Sequence, residues 1–450
     1  MSGTREKETI SRQMLNVLGF RAAQMGYAFV ASVLIARQLG PEGKGVLNVL
    51  FAFIATSCLA FSFGLANSLI YHGGRGNYGL GRLFSWSLFW VSALALLYLP
   101  GASFFYWVFR DSFMKGVGYP WFFAAILLFP LFLLNMVSGS LAKAAGKVSL
   151  AAAVVCAKET LYMLLLVLSL YVFGKGAGGI IISRIISDLA GFILMLYVIK
   201  EELKAQDLVP AYDPAMNRVL FGFGLKSYAG GIFQPNVNRA DIFLTNYFTG
   251  PAGVGIYSVG LTLAEAALLI PSVVNFVLFP KVSSGDRAAG ALYTVSSARR
   301  VFWGMAGLGV LVCAASPWFI PLAFGRAFSP ALAAVLIIMP GAVLLGPGML
   351  IGAFFEGTGR PEITMKSNIL AFCLCVGLGA ALLPAFGFAG AAAGLSAGYC
   401  VSALFLLYFF QKETGVRWSR LFEFRAGDFS PRAILKEAGI GAGGARTAER

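Results

Sequence analysis

Apolar runs of about 20 residues, each ended by a few polar, glycine or proline positions, follow one another along almost the whole chain, and that length is what a helix needs to cross a bilayer. Taken in order they predict helices near 14–36, 46–71, 83–108, 119–142, 149–173 and 177–199, then 217–248, 255–279, 294–322, 331–356, 363–385 and 389–411. The interruptions are turn and breaker chemistry: Gly40-Pro41-Glu42-Gly43, residues 72–76, Arg110-Asp111, Gly146-Lys147 and Gly359-Arg360-Pro361. The longest internal polar stretch, 200–214, falls at midchain. The expected domains are a cytoplasmic N-terminus at 1–13, a six-helix bundle at 14–200, a linker at 201–216, a second six-helix bundle at 217–411 and a flexible tail at 412–450. The first apolar run is too long for the core of a cleaved signal and is expected to remain as a span.

Composition removes the soluble alternatives. The 450 residues are 58% hydrophobic and 12% charged, with mean hydropathy +0.78, so the chain carries about half the charge of an average soluble domain. About twelve spans leave no length for a sizeable aqueous domain, which excludes a soluble enzyme. The net charge of +15 reads as Lys and Arg crowding the cytoplasmic loops, not as a nucleic-acid footprint. With the N-terminus inside, the inner loops and tails collect about two dozen cations. The outer set is Arg37, Lys44, Arg110, Lys115, Lys175 and Arg326. Both termini are therefore expected in the cytoplasm. The cysteines (Cys58, Cys156, Cys313, Cys373, Cys375, Cys400) lie within apolar runs without metal spacing and read as small core hydrophobes, and His72 is the only histidine. No metal site, cofactor or catalytic residue is expected. No Gly-Lys pair is followed by Ser or Thr, so nucleotide hydrolysis is not expected either.

The two halves repeat each other. Gly40-Pro41-Glu42-Gly43-Lys44-Gly45 joins spans one and two, and Gly250-Pro251-Ala252-Gly253-Val254-Gly255 joins spans seven and eight with the same Gly-Pro-x-Gly-x-Gly spacing. Weaker echoes pair the segments after spans three and nine (109–113 with 324–328) and Gly146-Lys147 with Gly359-Arg360. An offset of six helices is even, so the repeat is parallel, and such halves usually enclose a central cavity with the substrate between them.

The stretch at 236–284 (NVNRADIFLTNYFTGPAGVGIYSVGLTLAEAALLIPSVVNFVLFPKVSS), LIARQLGPEGKGVLNVL at 34–50, FGRAFSPALAAVLIIMPG at 324–341 and GTGRP at 357–361 resemble the polysaccharide-transporter branch of the multidrug/oligosaccharidyl-lipid/polysaccharide exporter superfamily. The resemblance covers about residues 10–412. It implies alternating access by two six-helix bundles of a bacterial inner-membrane flippase. Its cargo would be a polyprenyl-pyrophosphate-linked oligosaccharide, moved to the outer leaflet for O-antigen, capsule or exopolysaccharide synthesis. The implied partners are that lipid-linked oligosaccharide, membrane lipids, and the polymerase and export machinery of such a pathway. The rivals are a drug or cation antiporter of the same superfamily, which favours an acidic cavity, and a membrane-embedded polymerase or glycosyltransferase, for which the loops are too short and too poor in acids.

Site candidates come from charges inside the spans, each costing about 2.5–3.5 kcal/mol on insertion scales. They are Arg21, Lys158, Glu159, Arg184, Asp188, Lys226, Arg239, Asp241, Glu265 and Glu356. Arg184 and Asp188, four apart, read as a structural pair, whereas Lys158 and Glu159 are adjacent and diverge. Lys226 can snorkel to the cytoplasmic face, and Glu356 sits at an inner helix end. Arg21 has no acid on its own helix. Span seven is the most polar: Gln234, Asn238, Asp241 and Thr245 share one stripe, Asn236 and Arg239 another, and Pro235 opens the helix where they begin. The substrate-binding candidates are Arg21, Lys158, Lys226, Asn238 and Arg239. Asp241 and Glu265 are candidates for ion coupling or pairing, with Glu265 the expected partner of Arg239. Gly43, Gly45, Gly253 and Gly255 are candidate hinges.

Overall fold

The computed structural model describes residues 2–231, 233–283 and 287–424, and the regular elements among them are all helical. They are α1 (Ser2–Ser62), α2 (Leu65–Gly74), α3 (Leu80–Phe109), α4 (Tyr119–Ile126), α5 (Leu128–Ala144), α6 (Val148–Val167), α7 (Gly176–Ile199), α8 (Pro214–Gly231), α9 (Phe233–Ala267), α10 (Leu269–Ser283), α11 (Arg287–Ala323), α12 (Ala331–Gly357), α13 (Pro361–Phe386), α14 (Phe388–Thr414) and α15 (Ser419–Phe422). A π turn, Leu168–Val172, extends α6, and short 3-10 turns stand at Lys200–Glu202, Ala205–Leu208 and Arg326–Phe328. Ten of the described helices are long and apolar enough to cross a membrane. Two of these stretches, Gly19–Ser62 and Arg239–Asn275, each contain a backbone break, and dividing both there, with the segment before Gly250 running back along α9 to Phe233, gives roughly twelve helices of a multi-pass membrane protein.

Those breaks fall at the repeated motif. Within α1 only Gly40 leaves helical geometry (φ 66, ψ −173), and within α9 Gly250 has φ 70. Each is followed by a proline, which cannot donate a backbone hydrogen bond and so suits the first position of the next helical segment. The loop expected at 40–43 is therefore a one-residue corner, and Lys44, expected in an outer loop, lies on a helix. The weaker echo is also present. Gly146 (φ 77) and Gly359 (φ 80) end α5 and α12 with the same bonds: Lys147 N to Ala142 O at 2.9 Å, and Arg360 N to Phe355 O at 2.7 Å.

Contacts divide the chain into two compact units, Met1–Val259 with Ile320–Ser329, and Gly260–Phe319 with Pro330–Arg450. In the first, α1, α5, α6 and α7 pack together over fully buried Leu47, Leu50, Phe122 and Phe129, with Tyr98 stacked on Phe129 at 3.8 Å. The polar stretch expected as a linker is pinned to α3 of this unit. Ala211 N donates to Ser85 O at 3.2 Å, Ser85 Oγ to Val209 O, and Arg82 pairs with Asp213. Just beyond it, Asn217 Oδ1 accepts from Trp86 Nε1 at 2.7 Å and Trp90 Nε1 at 2.8 Å.

In the second unit α12, α13 and α14 pack around buried Phe354, Phe355 and Phe410. Here the described part of the stretch expected as a flexible tail, 412–424, is packed. After Gly415, α15 docks on α11: Trp303 Nε1 donates to Phe422 O at 3.2 Å, and Phe302 meets Phe422 edge-on at 4.7 Å. The stretch 425–450 lies outside the described residues. All six cysteines are free, and Cys373 is exposed, not in the core as expected.

Candidate functional site: a charged cavity beside paired glycine-proline corners

Two adjacent residues on α6 and two residues one turn apart on α7 build a closed set of four charges. Arg184 Nη1 and Nη2 donate to the two carboxylate oxygens of Glu159 at 2.9 and 3.1 Å, and Arg184 Nε donates to Asp188 Oδ2 at 3.1 Å. Lys158 Nζ donates to Asp188 Oδ1 at 2.7 Å and lies 3.5 Å from Glu159 Oε1. A planar guanidinium holding one acid bidentately and a second by its third nitrogen is a fixed geometry that an ammonium cannot copy. Asn135 ties the group to α5 by donating to Asp188 O at 2.9 Å. A Cβ at Gly191 would lie 2.6 Å from Lys158 Cδ, so the small residue clears the path of the lysine stem. Two cations and two anions cancel. The expectation that Lys158 and Glu159 diverge is thereby corrected: both side chains reach α7, where Asp188 takes Lys158 and Arg184 takes Glu159, and the two lie 3.5 Å apart.

Against this set opens a cavity of about 440 Å³, lined by both segments of α1 and by α5, α6, α7 and α9. Its charged lining is Lys44, Arg184 and Arg239 against Glu159 and Asp188. Lys44 is 3% exposed, and its Nζ donates to Ser32 Oγ at 2.6 Å and Ser32 O at 3.2 Å, with the Phe324 ring at 5.9 Å. No carboxylate among the described residues lies within ion-pair distance of it. Arg239 is half-buried and makes no salt bridge among the described residues; the charge nearest to it along the chain is Asp241. Asp241, 3% exposed, is itself held by the Tyr257 hydroxyl and by Ile242 N at 2.7 Å. Asn48 also lines the cavity, with its Nδ2 buried and without a partner among the described residues. Tyr162 supplies an aromatic face, 5.0 Å under the Arg184 guanidinium. With the α6–α7 group neutral as a set, Lys44 and Arg239 leave the lining positive.

Beside the cavity the two corners pack on each other reciprocally. A Cβ added at Gly45 would overlap the Pro251 carbonyl, and one at Gly255 would overlap the Pro41 carbonyl. Nearby, Gly116 packs on the Pro251 ring, and Asn246 Nδ2 holds the 110–118 turn through Phe113 O at 2.9 Å and Lys115 O at 3.1 Å. Arg37 caps the last carbonyls of α11, Leu322 O and, at 2.7 Å, Ala323 O. Gly43, Gly45, Gly253 and Gly255 sit inside helical segments, so the backbone freedom expected of them resides at Gly40 and Gly250. Gly45 and Gly255 instead permit close approach.

Of the other sequence candidates, Arg239 lines the cavity. Lys158 stands behind it, engaged by Asp188. Arg21 is exposed, outside the lining and within electrostatic reach of Lys143. Glu265 is an exposed residue of the second unit, whereas Arg239 belongs to the first. The side chains of Lys226 and Asn238 lie outside the described residues. Sequence reasoning missed Lys44, which stands in a Gly-Pro-x-Gly-x-Gly stretch that reads as loop.

A family model described as "Polysaccharide biosynthesis protein" matches residues 34–333. No curated protein sequence matches. Among solved structures, an inward-facing multidrug-resistance MATE transporter of the MOP superfamily superposes with TM-score 0.73 at 16% identity, over 87% of this chain and 94% of the other. An outward-facing one gives 0.62 at 16% identity, over 93% and 97%. A MOP superfamily transporter from Pyrococcus furiosus, described by a reverse polarity of its binding pocket that suggests a different function, gives 0.64 at 15% identity, over 93% and 97%. The fold is that of these transporters.

Proposed function

This chain belongs to the polysaccharide biosynthesis protein family, and on that premise we propose that it flips a polyprenyl-pyrophosphate-linked oligosaccharide from the cytoplasmic to the outer leaflet by alternating access. One observation carries the reading: a cavity among membrane-spanning helices whose charged lining is left positive by Lys44 and Arg239. A pyrophosphate diester carries about two negative charges, and fixed cations in a low-dielectric wall suit it. The volume, about 440 Å³, is that of a small-molecule site, so the cavity holds the pyrophosphate and the sugars nearest to it. A superfamily member distinguished by the polarity of its pocket supports taking the sign of the lining as the mark of the cargo. A cationic drug would meet repulsion here.

Export of two negative charges from a negative interior is downhill by roughly 4–5 kcal/mol at about 100 mV, so membrane potential suffices as the drive. In this reading the protein sits in a bacterial inner membrane with both termini cytoplasmic. Proteoliposomes loaded with a lipid-linked oligosaccharide, under a potassium–valinomycin potential at matched pH, test it. Potential-dependent flipping that is lost in Arg239→Gln is the expected result. Flipping that ignores the potential and follows only a pH gradient, or that survives in Arg239→Gln at wild-type expression, overturns it.

A further inference from the structure

A polar tie braces each corner across its bend, and the two ties differ in what can reach them. In α9 the Tyr257 hydroxyl, beyond Gly250, donates to Asp241 before it; both residues are buried and neither lines the cavity. In α1 the Lys44 ammonium, beyond Gly40, donates to both oxygens of Ser32 before it, and both of these residues line the cavity. The position matching Lys44 in the second motif is Val254, fully buried and uncharged. A buried ammonium held, among the described residues, by neutral oxygens keeps an unmet demand for negative charge, because a hydroxyl and a carbonyl return less of its lost hydration than an anion does. One residue further along, Gly45 is the point at which this corner is pressed against Pro251.

We propose that Lys44 is an anion-binding residue of the cavity, and that a pyrophosphate taking its ammonium from Ser32 releases the tie across the Gly40 corner and with it the Gly45–Pro251 seal. The proposal rests on the pyrophosphate of the proposed cargo, not on its lipid. It makes the first corner the ligand-operated one and the second a fixed brace. Cargo binding and opening are thereby linked through a single side chain, without a relay of intermediate contacts.

The test uses spin labels at Glu42→Cys and Ala252→Cys, two exposed positions next to the contact points, in a Cys373→Ser background reconstituted in nanodiscs. Farnesyl pyrophosphate and inorganic pyrophosphate are the two probes. Farnesyl pyrophosphate is expected to lengthen the inter-label distance in the parent protein. In Lys44→Gln, where the tie is already cut, the distance no longer responds to the probe and binding weakens by about tenfold to a hundredfold, the loss of one charge-assisted hydrogen bond. Lys44→Arg retains both. Ser32→Ala, which removes one of the two latch acceptors and leaves the ammonium, shows the lengthened distance without any ligand and still binds. Lys44→Gln that elutes as folded protein and still lengthens, or binds the probe as the parent does, overturns the proposal and leaves the flippase reading standing. Failure of the parent protein to bind farnesyl pyrophosphate removes the flippase reading and this inference together. If inorganic pyrophosphate acts as effectively as the prenyl form, the role of Lys44 stands and the lipid-linked cargo is what fails.

Discussion

The helix pair α6–α7 and the pair α13–α14 are matching positions of the repeat, and they are joined by opposite chemistry. The first pair carries four charges at its contact and meets through Arg184, Asp188, Lys158 and Glu159. The second has no charged residue anywhere from 367 to 411. It closes by backbone approach: a Cβ at Gly394 would meet Cys375 O at 2.7 Å and Gly379 N at 2.8 Å, and one at Gly398 would meet Ala371 O at 2.9 Å. Its polar tie is Ser367 Oγ with Ser402 O at 3.0 Å and Oγ at 2.8 Å. Small residues that let helix backbones approach are the ordinary way of joining helices in lipid. The fold evidently makes this joint without charge. The quartet is then an addition to the scaffold, and it stands where the cavity opens.

The sharpest way to break that comparison is to unbalance the quartet. Asp188→Asn leaves Lys158 and Arg184 with only Glu159 between them, and the expected loss is about 3–5 kcal/mol of stability, read as thermal unfolding in a fixed detergent. Lys158→Met with Asp188→Leu should recover most of it, because removing both members of a buried pair is far less costly than removing one. A single variant as stable as the parent would show that water, and not the partner set, carries these charges.

An intermediate effect belongs to the uncharged joint. Gly394→Ala forces a methyl against backbone atoms that cannot swing aside, and the expected loss is about 1–3 kcal/mol by the same assay. No loss would mean that the pair has room to separate, and that small residues are not what joins it.

The smallest effect separates buried from exposed ion pairs. Asp213 has its carboxyl held below the usual carboxylate range, by the backbone N–H of Met216 and then by Arg82. A group depressed on folding stabilises above its unfolded value, about 3.9, and loses that contribution as pH falls through its folded value. Asp213→Asn should therefore shift the melting temperature less than either variant above, with the shift shrinking as the buffer is taken from about pH 6 toward about pH 3. A shift that grows on acidification would reverse the sign of the argument.

What the sequence made legible follows from the range of the interaction involved. The span pattern and the repeated Gly-Pro corners are local, and spacing alone reveals them. The Arg184–Asp188 bond at 3.1 Å is an i,i+4 contact, local in the same sense. Lys158 and Glu159 defeated the same rule, because adjacency fixes where two side chains leave their own helix and says nothing of a neighbouring helix that both can reach. Lys44 was hidden by its company of three glycines and a proline, which reads as loop; only Gly40 in fact leaves the helix. The partner of Asp241 is Tyr257, sixteen residues on and across a corner. No periodicity connects two residues on either side of a bend.

The paired corners hold one more consequence. In each, a proline carbonyl fills the space left by the other's glycine, so this one contact is made twice. That is the self-complementary form of an isologous homodimer interface, in which one patch serves as both surface and partner. A single six-helix copy bearing Gly-Pro-x-Gly-x-Gly could pair with a second through this patch before any linker joined them. Such a patch also makes a change in one motif felt in the other: a side chain gained at Gly45 strains Pro251, and one gained at Gly255 strains Pro41.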